Sequence, residues 1–209
     1  MIKNLKVGII NLEIHNLFSI YEACKKIGYK TSIIQKSTKN YNFDIIILPG
    51  VGSYRFAMKK ISQENFKYEI NNHLQKQNKI LFGICLGMQL LFTKSEEFGY
   101  TKGLDIIPGE VIKIDNRSRR VPHTGWNEII LKKKTDYFFD KTLLKKKFYF
   151  THSYYCKPKL QKHVCTTTNY LGFNFCSSIK KENVIATQFH PEKSGAEGLK
   201  IIKDLPKFI

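Results

Sequence analysis

The feature that most constrains this chain is a strand-like run, Ile80-Leu81-Phe82, that passes through Gly83-Ile84-Cys85-Leu86-Gly87 into a helix-like run, Met88-Gln89-Leu90-Leu91-Phe92. One cysteine therefore sits on a sharp strand-to-helix turn with a glycine two residues away on either side. Such a turn needs strained backbone angles and close approach of neighbouring chain, which glycine permits most readily. This is the cysteine version of the nucleophile elbow. The helix N-terminus behind Cys85 favours negative charge and so favours the thiolate. A lone cysteine in a core strand is ordinarily inert packing. Gly-x-Cys-x-Gly between a strand and a helix points to a nucleophile instead.

A second segment supplies the chemistry a thiol needs. Val184-Ile185-Ala186-Thr187-Gln188-Phe189 reads as a strand and ends in His190-Pro191-Glu192-Lys193. A thiol nucleophile requires a base to move protons, and the base requires a group that orients it. On extended chain, positions i and i+2 point the same way, which would bring the Glu192 carboxylate to the His190 imidazole. Taken alone, His-Pro-Glu reads better as a strand-end histidine beside a surface glutamate.

The N-terminal half alternates strand and helix signals. Val7–Ile10, Thr31–Ile34, Ile45–Leu48 and Ile80–Ile84 read as buried strands, and Ser19–Ile27 as a helix stopped by Gly28. That alternation predicts an α/β fold with a central, mostly parallel sheet flanked by helices. The C-terminal half reads as an added mixed β region, with strands at Glu110–Ile114, Asn127–Leu131, Phe148–Thr151, His163–Thr168 and Val184–Phe189. Helix returns only at Ala196–Leu205. The 209 residues are read as one domain, 1–209. Ligands of open α/β sheets gather at the carboxyl ends of strands. Pro49-Gly50-Val51-Gly52-Ser53, Cys85 and His190 each follow a core strand directly, so loop, nucleophile and base converge on one edge.

Composition narrows the remaining classes. No apolar run approaches the roughly 20 residues of a membrane helix, and Lys6 interrupts any secretory leader. Five cysteines in no framework spacing fit a reduced cytoplasmic setting. Cys24, Cys156, Cys165 and Cys176 read as packing residues, and no His/Cys spacing implies a metal or other cofactor. The formal charge of +18 comes from lysines spread along the chain, with runs at Lys132–Lys134 and Lys145–Lys147 that read as solvated loops. No nucleic-acid module is legible, so the charge implies non-specific attraction to polyanions rather than a dedicated interface.

Taken together, Cys85, His190 and Glu192 resemble the triad of the class I glutamine amidotransferases. The Pro49–Ser53 loop, Val121-Pro122-His123-Thr124-Gly125-Trp126-Asn127, His152-Ser153-Tyr154-Tyr155 and Pro191-Glu192-Lys193-Ser194-Gly195 narrow this to the glutaminase subunits of imidazole glycerol phosphate synthases. The resemblance runs from about Val7 to Leu205. It implies hydrolysis of L-glutamine to glutamate and ammonia, with an oxyanion hole from the Leu86 N–H and a peptide at Val51 or Gly52. It implies glutamine binding by Gly50, Gln89, Glu97, Ser153 and Tyr154. It further implies a heterodimer with a (β/α)₈ cyclase that receives the ammonia, with Asn16, Trp126, Asn127 and Lys193 at the interface.

One turn departs from the resemblance. The usual Asp-Tyr-Gly-x-Gly-Asn-Leu is here Asn11-Leu12-Glu13-Ile14-His15-Asn16-Leu17, with Glu13 and His15 replacing the glycines. That leaves room for an alternative partner, a paralogous barrel subunit serving a sugar amidotransferase for surface polysaccharides. Two other classes are a cysteine hydrolase of peptides or γ-glutamyl compounds and a non-catalytic module. The Pro-Gly-Val-Gly-Ser loop argues against the first, and the intact triad set against the second.

Overall fold

The computed structural model describes residues 5–14, 17–37, 42–115, 120–132, 141–143 and 145–208. His15, Asn16, Lys133 and Lys134 fall outside the described residues.

The N-terminal half forms β1 (Lys6–Ile10), α1 (Phe18–Ile27), β2 (Lys30–Ile34), β3 (Ile45–Leu48), α2 (Tyr54–Gln63), α3 (Phe66–Leu74), β4 (Ile80–Ile84) and α4 (Leu86–Leu90). Then come β5 (Phe92–Ser95), β6 (Thr101–Lys102), β7 (Ile107–Lys113), β8 (His123–Glu128), β9 (Ile130–Leu131), β10 (Lys147–His152) and β11 (Tyr154–Pro158). The chain closes with β12 (Val164–Tyr170), β13 (Phe173–Lys181), β14 (Val184–Thr187) and α5 (Gly195–Asp204).

Eight strands make the central sheet in the order β2-β1-β3-β4-β14-β13-β12-β9. The first five run parallel, and the last three add on antiparallel. Side chains of a strand alternate between faces, and the core divides accordingly. Ile45 and Ile47 pack with Ile20 and Cys24 of α1 and Ile201 of α5. Ile46 and Leu48 pack with Ala57 and Ile61 of α2 and Ile70 of α3. Parallel strands covered on both faces must be apolar throughout, which is why Ile45–Leu48 and Ile80–Ile84 are uninterrupted apolar runs, buried at every residue.

Two expectations from the sequence are revised. The helix-like run does not reach Phe92: α4 ends at Leu90, and Phe92 opens a strand that pairs in parallel with Ile107. Aromatic and β-branched residues at Phe92-Thr93 suit a strand better than a helix end. The longest strand among the described residues, β13, is foreshadowed in the sequence only by a strand-like setting for Cys176, with no bounds. Its centre holds Ser177 and Ser178, both fully buried and bonded to Thr166 Oγ1 at 2.8 and 2.6 Å. Buried hydroxyls paired across strands break the apolar signal without breaking the strand. The mixed β region is accordingly less separate than expected, since β12 and β13 extend the main sheet. β5, β6, β7 and β11 form a sheet of their own, as do β8 and β10. Among the described residues no helix is long and apolar enough to cross a membrane.

Candidate active site

β3, β4 and β14 are neighbours in the sheet and run the same way. Their carboxyl ends deliver the Pro49–Ser53 loop, Cys85 and His190 side by side. Cys85 has φ 53° and ψ −106°, a conformation that costs a non-glycine residue on the order of 1–3 kcal/mol. Its N–H donates to the Thr187 carbonyl of β14 at 2.7 Å, which fixes the elbow to the neighbouring strand. The glycines act as the sequence implied. A Cβ on Gly87 would collide with the Leu48 carbonyl, and one on Gly83 would lie 3.0 Å from the Gly87 backbone.

The Cys85 sulfur is nearly buried. It lies 3.8 Å from the Thr151 carbonyl and 3.6 Å from Gln188 Nε2. His190 Nδ1 meets Glu192 Oε1 at 2.8 Å, with both side chains buried. The pair forms differently from the expected extended i, i+2 arrangement. His190 is extended, but Glu192 lies in the short 3₁₀ turn Pro191–Lys193, and that turn brings its carboxylate back to the ring. His190 is further clamped by its N–H to Tyr149 O at 2.9 Å and by Ser194 Oγ on its carbonyl at 2.6 Å. Burial works against the charged imidazole, yet Cys85 and Glu192 outweigh it and raise His190 to about 10. His190 Nε2 has no aligned hydrogen-bond partner among the described residues. Cys85 and Glu192 are the two groups that favour the charged ring.

A cleft of about 340 Å³ opens at Cys85. Val51, Gly52, Leu86, Gln89, Glu97, Ser153 and Tyr154 all line it. Gly50 lines a second cleft, of about 270 Å³, on the other side of the loop. Gln89 Nε2 donates to the Tyr154 carbonyl at 2.9 Å and to Gln188 Oε1 at 3.2 Å. Glu97 Oε2 accepts from the Tyr54 N–H at 3.1 Å, and burial raises its carboxyl above the ordinary range. The Leu86 N–H is turned to the Gly50 carbonyl at 3.3 Å.

Of the expected interface residues, Trp126 is half exposed and stands edge-on to Tyr149, with ring centroids 6.0 Å apart. Lys193 Nζ lies 6.0 Å from the Tyr149 ring, and that ring is 6.4 Å from His190. Asn127 spends its amide internally, donating to Asn169 O at 2.9 Å. Asn16 lies outside the described residues. Glu13 takes φ 56°, the conformation a glycine would supply, and its carboxylate meets Lys60 Nζ at 2.6 Å.

Gln188 and Thr151 are given no site role by the sequence, and His123 and His152 appear there only within motifs, without roles of their own. Gln188 carried a usable signal, a polar side chain at the buried end of a strand two residues before His190. Thr151 contributes a carbonyl, which no side-chain pattern reveals.

A strained cysteine elbow, a buried His–Glu pair and a polar cleft meet on one sheet edge. The chain belongs to the class-I glutamine amidotransferase family, whose sequence pattern matches residues 9–205. Among its relatives is imidazole glycerol phosphate synthase subunit HisH of Chlorobaculum tepidum, 38% identical over 198 residues, 92% of this chain and 95% of the relative. The subunit of that name from Geobacter metallireducens is 38% identical over 95% of this chain and 96% of its own. The one from Caldanaerobacter subterraneus is 40% identical over 97% and 98%. Solved structures agree on the fold. A glutamine amidotransferase crystal structure aligns with TM-score 0.73 at 17% identity, over 96% of this chain and 98% of that one. The PurLQS structure from Thermotoga maritima also aligns at 0.73, with 20% identity and 98% coverage of both chains.

Proposed function

We propose that this chain is the glutaminase subunit of an imidazole glycerol phosphate synthase, releasing ammonia from L-glutamine for a (β/α)₈ cyclase in histidine biosynthesis. The observation that carries the chemistry is the Cys85 elbow beside the His190–Glu192 pair, at the mouth of a polar cleft. The full-length likeness to HisH subunits carries the pathway.

In this reading the Cys85 thiolate adds to the carboxamide carbon of glutamine. His190, held protonated by its neighbours, gives its proton to the leaving nitrogen, and Glu192 keeps the ring in register. Ammonia departs and a thioester remains. Water then attacks, His190 takes its proton, and glutamate leaves with the thiol restored. Gln89, Glu97, Ser153 and Tyr154 hold the glutamine, with Gly50 beside them in the loop.

The oxyanion needs two N–H donors. Leu86 supplies one, and a peptide at Val51 or Gly52 the other. The Gly50 carbonyl now faces the Leu86 N–H, so the hole is closed until the Gly50–Val51 peptide turns. A partner that binds the turned loop better than the closed one activates the enzyme by population shift. The cyclase fits that role, with Trp126 and Lys193 facing it, in the cytoplasm, as one domain of 209 residues.

Complementation tests the assignment. In cells lacking their own glutaminase subunit and supplied with this chain and its native cyclase, growth without histidine is expected. Soluble, glutamine-hydrolysing protein that fails to restore growth would move the assignment to a paralogous partner.

A further inference from the structure

His152 of the cleft wall and His123 next to it form a pair that the reaction above does not use. His123 opens β8 and His152 closes β10, and the two are directly opposite in the antiparallel register. Both are buried. His123 Nδ1 and His152 Nε2 are 3.0 Å apart, and His152 Nδ1 is 2.9 Å from the Tyr154 carbonyl. That carbonyl also accepts from Gln89, which reaches Gln188, which reaches the Cys85 sulfur. His123 is itself held between rings, with centroids 4.9 Å from Phe150 and 4.0 Å from Tyr170.

The chemistry of these groups fixes every proton. A carbonyl only accepts, so His152 Nδ1 carries hydrogen. Burial keeps both rings neutral, lowering His152 to about 3 and His123 to about 4. His152 Nε2 is then bare and must accept, which obliges His123 Nδ1 to donate. One tautomer of each ring satisfies the chain, so the pair is directional, from His123 to Tyr154.

We propose that His123 and His152 are positioning residues for the substrate: through a fixed hydrogen-bond relay they hold the Thr151–Tyr154 backbone, the cleft wall that receives the α-groups of glutamine. This rests on the glutaminase reading. His152 sits between Thr151, whose carbonyl faces the Cys85 sulfur, and Ser153 and Tyr154, which line the cleft. Rotating the His152 ring would free the Tyr154 carbonyl from one of its two donors and loosen that wall.

The test compares His123→Phe with His123→Asn, assaying L-glutamine hydrolysis by the chain in complex with its own cyclase subunit. Phenylalanine keeps the ring stack and removes the donor. Asparagine places an amide N–H near the position of Nδ1. Loss of one relay hydrogen bond is expected to raise KM for glutamine on the order of tenfold in His123→Phe with kcat little changed, and His123→Asn should recover most of it. ¹⁵N spectra of the wild type should show both rings neutral with hydrogen on Nδ1. An unchanged KM in a folded His123→Phe, or a proton on His152 Nε2, overturns the relay. Equal defects in both variants, confined to thermal stability, make the pair packing only and also overturn it. Absence of turnover in the wild-type complex instead overturns the glutaminase reading, and this inference with it.

Discussion

The two clefts that meet at Val51 are lined by different groups. On the Cys85 side the wall carries Gln89, Glu97, His152 and the Ser153–Tyr154 backbone. On the other side, Leu12, Ile14, Leu17, Ile20 and Ile84 share the wall with His190, Glu192 and Lys193. Polar groups fixed by hydrogen bonds suit a zwitterionic amino acid, whose charges must find partners when water leaves. The aliphatic stretch of the second wall gives a small neutral product such as ammonia few partners to detain it. The Pro49–Ser53 loop contributes Val51 to both clefts, and in the proposed reaction it also carries an oxyanion donor. In the proposed reading hydrolysis belongs to the Cys85 side, and the other side is the route tested below for hand-over.

The sharpest break is at the shared centre. Cys85→Ala is expected to lower glutamine hydrolysis on the order of 10⁴-fold or more, since triad members act as a unit. Folding should be unaffected, as the alanine fills nearly the same space. An electrophilic glutamine analogue should label Cys85 alone. Burial pushes Cys24 and Cys176 up to about 12 and Cys156 well above its ordinary value, leaving those thiols protonated. Mass mapping that finds the label elsewhere would remove Cys85 from the site.

The polar wall is tested next. Glu97→Gln and Gln89→Ala should each raise KM for glutamine roughly tenfold to a hundredfold, the range for losing one or two hydrogen bonds to a charged group. Steady-state kinetics with the partner present will show it. Equal binding in both variants would mean the polar lining serves the fold rather than glutamine.

The same contrast explains what the sequence could and could not tell. Cys85, Gly83 and Gly87 were legible because the elbow is local: five residues carry the strain, the close approach and the nucleophile. The parallel strands were legible because burial on both faces demands unbroken apolar runs. β13 was not, because Thr166 satisfies Ser177 and Ser178 from another strand. The polar wall was legible in part. Its side chains stand in recognisable motifs, but its carbonyls at Thr151 and Tyr154, and the meeting of His123 with His152 across β8 and β10, exist only after folding. The turn that brings Glu192 to His190 also belongs to the fold, since extended chain was the simplest reading of Pro191.

A milder change probes the aliphatic stretch of the second wall. Leu17 is half buried and is the N-cap of α1, with no side-chain cap of its own. Leu17→Asn puts an amide into this cleft at the entry to α1, and an unchanged Tm will show that the fold holds. Glutamate production should stay near normal, while synthase product per glutamate falls about twofold, because an ammonia molecule meeting a polar site is detained and lost to water. A ratio that stays at one would show that hand-over does not cross this cleft.

The smallest effect is expected at the rim of the same cleft, where Glu13 stands in the turn that supplies Leu12 and Ile14. Its left-handed backbone costs on the order of 1 kcal/mol relative to glycine. Against this stand the N–H bond to Asn11 Oδ1 at 2.8 Å and the ion pair with Lys60. Glu13 is 58% exposed and Lys60 17%, so the pair is worth about 0–1 kcal/mol. The two contributions nearly cancel. Glu13→Gly should therefore shift Tm by no more than about 4 °C in either direction. A double-mutant cycle with Lys60→Ala should give a coupling below about 1 kcal/mol. If the pair only replaces what a glycine would have allowed, neither variant will change activation by the cyclase. A coupling near zero in the free chain that grows when the cyclase binds would show instead that this turn, and the helix Lys60 stands on, take part in opening the loop between the two clefts.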